Sequence, residues 1–400
     1  MSADRKIRLA YLVTHPIQYQ ASLLKCIASD PSIELKVFFC SDLSLSTYKD
    51  QGFGVPVQWD IPLLDGYEHE FLPAIGNTKK LSFFRPFNYG LFKRLKQGHS
   101  DVVWIHCYAR WINWMAILFA CVLDIKVLIR DEATCVSAKR SRLKRAMKKV
   151  FFFVLNKMAD GFLAIGSLNK QYYRSYNIPE QKIFSAPYTV DNDFLQLKIQ
   201  RAHSRQQILR DALHLEANRS VILFASKMTP RKCAGDLLEA YIRLSPDGKQ
   251  EPLPYLLFIG DGEEKSKLEE RVRQLSWSTV RILGFKNQTE LPAFYDLADV
   301  FVLPSYDEPW GLVINEAMNA GCAIVASREV GAAGDLVKEG KNGFLFQAGD
   351  ISDLAEALQK TLIHAQAFGE ESMKLIQHWS FRETMMGLKQ ACEELVSADV

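Results

Sequence analysis

The sequence predicts an α/β chain of two consecutive halves, each built around a parallel sheet. Two observations predict it. Short apolar runs alternate with amphipathic stretches along the chain, the rhythm of βαβ units. That rhythm pauses in the polar, charged stretch Gln196 to Arg219 and then restarts, so the 400 residues read as two Rossmann-like halves of similar size.

The elements follow in order. In the first half the apolar runs Ile7–Val13, Ile33–Cys40, Val102–His106, Ile125–Ile129 and Gly161–Ile165 read as strands. Helical spacing marks Tyr19–Ala28, Tyr89–Gln97, Ile112–Val122, Arg142–Met158 and Leu168–Tyr176 between them. Gln51 to Pro86 is irregular and rich in Gly, Pro and aromatics, which predicts a long functional loop. The second half gives strands at Val221–Ala225, Tyr255–Ile259, Val280–Leu283, Val300–Leu303 and Ala323–Ala326, with helices such as Gly235–Leu244 and Glu263–Leu275.

Composition excludes several classes. With 48% hydrophobic, 24% charged and 11% aromatic residues, the chain is neither disordered nor collagen-like nor a small disulfide scaffold. A net charge of +3, from 49 basic and 46 acidic residues, is too balanced for bulk nucleic-acid binding. The eight cysteines form no CxxC pair and mostly sit in apolar runs, which predicts reduced thiols and no structural zinc. The N-terminus Ser2-Ala3-Asp4-Arg5-Lys6 is polar and runs into a strand, unlike a signal peptide. Asp124 and Lys126 interrupt the most apolar stretch, Trp111 to Ile129, well short of the ~20 residues that span a bilayer. The expectation is a cytoplasmic chain, with peripheral attachment to the inner face of a membrane left open.

The sharpest segment is Pro304-Ser-Tyr-Asp-Glu308-Pro-Trp310-Gly311-Leu-Val-Ile-Asn-Glu316. It follows the strand Val300–Leu303 and opens a helix at about Leu312. Ligands of open α/β sheets sit beyond the carboxyl ends of strands. A helix N-terminus there suits a phosphate or pyrophosphate, and Gly311 lets the backbone approach it. Glu308 lies just outside the helix and Glu316 about a turn inside. Two carboxylates cannot both grip a phosphate, but they can accept from sugar hydroxyls on either side of one. The plainer alternative is a helix-start acid and a solvated helix residue.

With Ala317 to Ala326 behind it, this segment resembles the retaining glycosyltransferases of family 4 (group 1), which have the GT-B fold. Lys227-Met-Thr-Pro-Arg231-Lys232 is similar to that family's strand-end cation pair. Gly260-Asp261-Gly262, Gly284-Phe285 and Lys341-Asn342-Gly343 are similar to its turns, in order. The resemblance implies two facing Rossmann-like domains, 1–190 on the acceptor side and 191–379 for the nucleotide sugar. It also implies a final helix, 380–400, that crosses back to the first domain. It implies that Glu316 binds ribose hydroxyls, that Glu308 meets the donor sugar, and that Gly260, Gly284, Phe285, Trp310, Gly311, Leu312 and Val313 hold the rest of the donor. Lys227 and Lys232 would offset charge on the departing diphosphate, with no metal and no other cofactor. Lys227 stands where the family usually has Arg.

The first half follows the family less closely. His15 and Gln18 follow the first strand, where the family has glycines, and face the ligand edge as acceptor or phosphate contacts; capping the helix is the alternative for His15. Arg130-Asp131-Glu132 lies near the position of the family's usual His: Arg130 and Asp131 are candidate catalytic residues, Glu132 an acceptor-side one. His106, at the end of Val102–Ile105, is a further acceptor-side candidate or an interior histidine. Residues 139–153 carry seven Lys/Arg followed by three Phe, which suits an anionic membrane surface, a solvated basic face being the alternative.

The implied function is a retaining transfer of a sugar from a nucleoside diphosphate donor, UDP before GDP, to a saccharide or lipid-linked acceptor in surface polysaccharide or glycoconjugate synthesis. A catalytically silent nucleotide- or carbohydrate-binding subunit and a sugar-nucleotide 2-epimerase are the alternatives.

Overall fold

The apolar runs pair into two main sheets whose strands are all parallel. Helices must then cover both faces of each, which is why the strands read as continuous apolar runs. The computed structural model describes residues 5–50, 52–136, 142–245 and 252–397. The first sheet has seven strands, in the order Ile183–Ser185, Gly161–Ala164, Lys126–Arg130, Val102–His106, Ile7–Val13, Ile33–Phe39, Glu68–Phe71. The second has six, in the order Val280–Ile282, Tyr255–Ile259, Val221–Ala225, Val300–Leu303, Ala323–Ser327, Gly343–Phe346.

Each sheet reverses its strand order once. Ile7–Val13 lies between Ile33–Phe39 and Val102–His106. Val221–Ala225 lies between Tyr255–Ile259 and Val300–Leu303. The crevice beyond the carboxyl ends at such a reversal is where α/β sheets bind ligands.

The chain divides into two compact units. The first comprises Met1–Tyr48, Ile61–Tyr188 and Phe381–Val400; the second comprises Lys49–Asp60 and Thr189–Ser380. The polar stretch 196–219 is therefore not a junction. It carries helices Asn192–His203 and Gln206–Ala212 of the second unit, whose narrow apolar stripe (Leu195, Ile199) packs with Leu312 and Ala320. Asp191 caps the first of them, accepting from the Phe194 N–H at 3.0 Å.

The 51–86 loop also needs correcting. Glu68–Phe71 pairs with Ile33–Phe39 as the outermost strand of the first sheet. An edge strand that is only half-buried needs no apolar run, so Glu-His-Glu-Phe hid it. Residues 49–60 belong with the second unit although the sequence places them among first-unit elements.

The last helix, Phe381–Ser397, is part of the first unit. Leu388, Ala391 and Cys392 join the core formed by Leu23, Ile27, Trp104 and Phe184. Lys389 reaches Asp30 at 3.0 Å, and the Thr384 hydroxyl donates to the Pro187 carbonyl at 2.7 Å. The helix backbone approaches the strand so closely at Gly387 that an added Cβ would lie 1.7 Å from the Ser185 carbonyl oxygen. Gly387→Ala should therefore destabilise the first unit by about 1–3 kcal/mol, the cost of overpacking against backbone. Urea unfolding of the two proteins would read it; equal midpoints would mean the helix does not need that approach.

Candidate functional site

At the reversal of the second sheet, three neighbouring strands deliver the chemistry. Val221–Ala225 leads into Lys227, Tyr255–Ile259 into Gly260, and Val300–Leu303 into Glu308. The turns are tightly packed. A Cβ on Gly260 would sit 1.9 Å from the Ser226 carbonyl oxygen, and the Gly260 N–H donates to the Gly284 carbonyl at 2.9 Å. Gly311 has φ +98° and caps the helix Leu312–Asn319, a conformation that favours glycine. The segment before it is pinned: the Gly331 N–H donates to Glu308 O and the Ala332 N–H to Trp310 O, both at 2.9 Å. The buried Trp310 indole donates to Asn315 Oδ1 at 3.0 Å. Leu312 and Val313, half-buried, begin the helix.

The charges arrive in pairs. Lys232 Nζ contacts Glu308 Oε2, and both side chains are largely buried. Lys227 Nζ lies 2.8 Å from Asp50 Oδ1. Burial, then the cations of Arg231 and Lys227, press the Lys232 ammonium down to about 7. The Glu308 carboxylate is the side chain in contact with this desolvated amine. Burial pushes the Asp50 carboxyl up, but Lys227 and the Phe53 and Gly52 N–H groups together hold it below the usual carboxylate range. The lysines expected to meet a ligand's charge thus each face a carboxylate. Asp50 was not legible as a site residue, because it lies in an irregular loop with no motif.

Glu316 has a different environment. It accepts from the Tyr295 hydroxyl at 2.6 Å, and no ion pair to it is seen among the described residues. Burial raises its carboxyl to about 7, with the Tyr295 hydrogen bond acting the other way. Phe285 meets the ring of Phe53 edge-on, centroids 4.8 Å apart.

The first unit gathers a second polar cluster at its own sheet reversal. His15 follows Ile7–Val13, His106 ends Val102–His106, and Glu132 follows Lys126–Arg130. Glu132 accepts from the Tyr19 hydroxyl at 3.2 Å and from the Tyr188 hydroxyl, and lies 3.8 Å from His106 Nε2. Gln20 Nε2 is 3.5 Å from His106 Nδ1. Burial lowers His106 to about 4, and burial with the Arg110 cation does the same to His15, so both imidazoles are neutral at pH 7. Gln18 opens the helix Gln18–Ala28, whose N-cap is Ile17 rather than His15. Arg110, which the sequence reading missed, donates to Thr14 Oγ1 at 3.1 Å.

Arg130 and Asp131 are corrected from candidate catalytic residues to interior ones. Arg130 is 1% exposed; its guanidinium donates to the Ala186 carbonyl at 2.9 Å and lies 4.2 Å from the Tyr188 ring centre. Asp131 is buried and accepts from the Tyr173 hydroxyl at 2.7 Å and from Asn169 Nδ2 at 3.2 Å. Both side chains are buried among partners on neighbouring elements, and Glu132 is left at the accessible edge. Of the cysteines, only Cys40, Cys322 and Cys392 are buried, fewer than the apolar runs suggested.

A two-unit α/β chain with one strand-order reversal in each parallel sheet has the architecture of GT-B glycosyltransferases. It is similar over 98% of its length to 99% of a glycosyltransferase from Rickettsia africae, with a TM-score of 0.74 and 16% identity. It is similar over 97% of its length to all (100%) of Anabaena Alr3699/HepE in complex with UDP, with a TM-score of 0.70 and 17% identity. Residues 205–377 match the family described as Glycosyl transferases group 1. The chain is 28% identical over 215 residues to alpha-monoglucosyldiacylglycerol synthase of Acholeplasma laidlawii, covering 50% of this chain and 52% of that protein. It is 31% identical over 197 residues to D-inositol 3-phosphate glycosyltransferase of Corynebacterium jeikeium, covering 47% of each. The chain thus spans about half the length of these curated relatives.

The raised Glu316 carboxyl has a stability signature. Between 4.5 and about 7 the folded protein retains a proton that the unfolded chain has lost. This group's contribution therefore falls as pH rises through that window and stays low above it. Glu316→Gln, which still accepts from Tyr295, should match the wild type in Tm at pH 4.5 and exceed it at pH 8. The gain is about 1 kcal/mol, discounted because the site is half-buried. A constant difference across pH would show that Glu316 titrates normally.

Proposed function

We propose that the chain is a retaining glycosyltransferase of family 4 that moves a sugar from a nucleoside diphosphate donor to a hydroxyl of a saccharide or lipid-linked acceptor. The observation that carries this reading is the second sheet's reversal, where neighbouring strands lead into Lys227, the Lys232–Glu308 contact and the Gly311 helix start, with Glu316 on the helix that Gly311 caps. The N–H groups of Leu312 and Val313 and the two lysines would hold the diphosphate, offsetting charge as it leaves. In this reading the lysines do what a divalent cation does elsewhere. Glu308 would orient donor-sugar hydroxyls and Glu316 the ribose. The bond from the anomeric carbon to the phosphate oxygen breaks while the acceptor oxygen bonds to the same face. The acceptor proton passes to the leaving phosphate, so no side-chain base is required. His15, Gln18, His106 and Glu132 would bind the acceptor or a phosphate. The solved UDP complex of a protein of this fold leads us to favour UDP over GDP.

Thermal unfolding with UDP, GDP, ADP and their sugar conjugates tests the donor assignment. A nucleotide at 100 times its Kd adds about 2.7 kcal/mol of stability. One base class should stabilise the wild type and not Glu316→Ala. Stabilisation by none would sink the donor site, and binding without sugar transfer would move the reading to a silent subunit.

The same reading includes an anionic bilayer as partner. Residues 137–141 of the basic stretch lie outside the described residues, but the helix Arg142–Met158 continues it. Phe152 is fully buried, so the three Phe do not act together. Leu143, Met147, Val150 and Val154 instead form one stripe at helical spacing, with Leu143 72% and Val150 65% exposed. Lys144, Lys149 and Lys157 are exposed alongside. Apolar insertion flanked by cations suits anionic headgroups. Among the described residues no helix is long and apolar enough to cross a membrane. The protein should sediment with phosphatidylglycerol vesicles and not with phosphatidylcholine ones, and Val150→Glu should abolish it; equal sedimentation of the variant would overturn the assignment.

A further inference from the structure

Asp50 and residues 52–60 lie on the same surface that the donor reading needs. Asp50 Oδ1 accepts from the Gly52 N–H at 2.8 Å and the Phe53 N–H at 3.0 Å, and from Lys227 Nζ at 2.8 Å. The Asp50 carboxylate is thus fixed by its own turn before it meets the lysine. Phe53 sits between the two ends of the site: its ring centre is 4.8 Å from Lys227 Nζ and 4.8 Å from the Phe285 ring. Further along, Asn287 Nδ2 donates to the Gln58 carbonyl at 2.7 Å. The Thr289 N–H donates to Asp60 Oδ2 at 3.1 Å, and its hydroxyl donates to the same oxygen. One segment therefore covers the phosphate-side cation and the Gly284-Phe285 turn together.

Resting on the donor-site reading, we propose that residues 49–60 are a competitive latch: Asp50 and the diphosphate of a donor exclude one another at Lys227. A lysine has three donors and could bridge two acceptors. The obstacle is the acceptors themselves, because a carboxylate held in place and a diphosphate at the same ammonium repel at short range. Glu308 already places a second carboxylate nearby, on Lys232. Diphosphate binding therefore releases Asp50, and with it the edge-on contact of Phe53 on Phe285. Holding the segment down and binding donor are linked with opposite signs.

Asp50→Asn removes the charge and keeps the side-chain oxygen of the turn. It should bind UDP about five- to tenfold more tightly than the wild type in a calorimetric titration, the scale of one part-buried ion pair. Asp60→Asn loosens the far anchor without touching Lys227 and should tighten binding in the same direction, which keeps the test open if the first variant folds poorly. In the wild type, saturating UDP should raise hydrogen exchange at the amides of 52–60. Weaker or equal UDP binding by both variants, or protection of 52–60 by UDP, would overturn the latch and make Asp50 a residue that positions Lys227. If neither the wild type nor the variants bind UDP or GDP, it is the donor-site reading that fails.

Discussion

Parallel pairing imposes the condition on which everything else here depends. When every ladder in a sheet is parallel, every carboxyl end emerges on one edge. In the first unit that edge collects His15, His106 and Glu132 from three adjacent strands; in the second it collects Lys227, Gly260 and Glu308 from three more. The same edge is the rim of a core whose strands are almost wholly buried. Polar groups delivered there lose water before they meet any ligand. The low histidines, the depressed lysine and the raised Glu316 are one effect seen at four residues.

Desolvation also explains why the charges come paired. A lone buried charge is costly, so each cation must be answered. Arg130 is answered by backbone carbonyls and aromatic rings, none of which can leave. That makes it a fixed part of the first unit. Lys227 and Lys232 are answered by carboxylates on side chains, which can exchange for a ligand's oxygens. A strand-end cation is a candidate for ligand binding when its partner is exchangeable and a framework residue when it is not.

That distinction marks how far the sequence could be read. The parallel strands were legible because burial on both faces writes continuous apolar runs. The donor-side constellation was legible because its residues lie in short segments whose spacing survives in one dimension. Glu68–Phe71 and Ile183–Ser185 were not, since edge strands need little apolar pattern. Arg130 and Asp131 misled because a strand's carboxyl end reads as exposed in one dimension, and only the fold brings in the Ala186 carbonyl and the Tyr173 hydroxyl that enclose them. Asp50 was invisible for another reason: its partner is 177 residues away, and no local pattern encodes that pairing.

Glu308 and Glu316 are the same residue type on one short segment, and their surroundings give them different chemistry. Glu308 faces the Lys232 amine just before the helix start. Glu316 faces a hydroxyl donor, with no ion pair to it among the described residues, so its charge is held less firmly. A ligand bringing two hydroxyls to Glu316 would add donors to the one Tyr295 supplies, and hydrogen bonds to the charged form favour it. Ligand hydroxyls and the carboxylate charge would then stabilise each other. A phosphate at the same place would be repelled by that charge. Anion contacts therefore belong at the lysines and the helix start, and hydroxyl contacts at Glu316, an ordering set by electrostatics that a nucleoside diphosphate can satisfy along its own length.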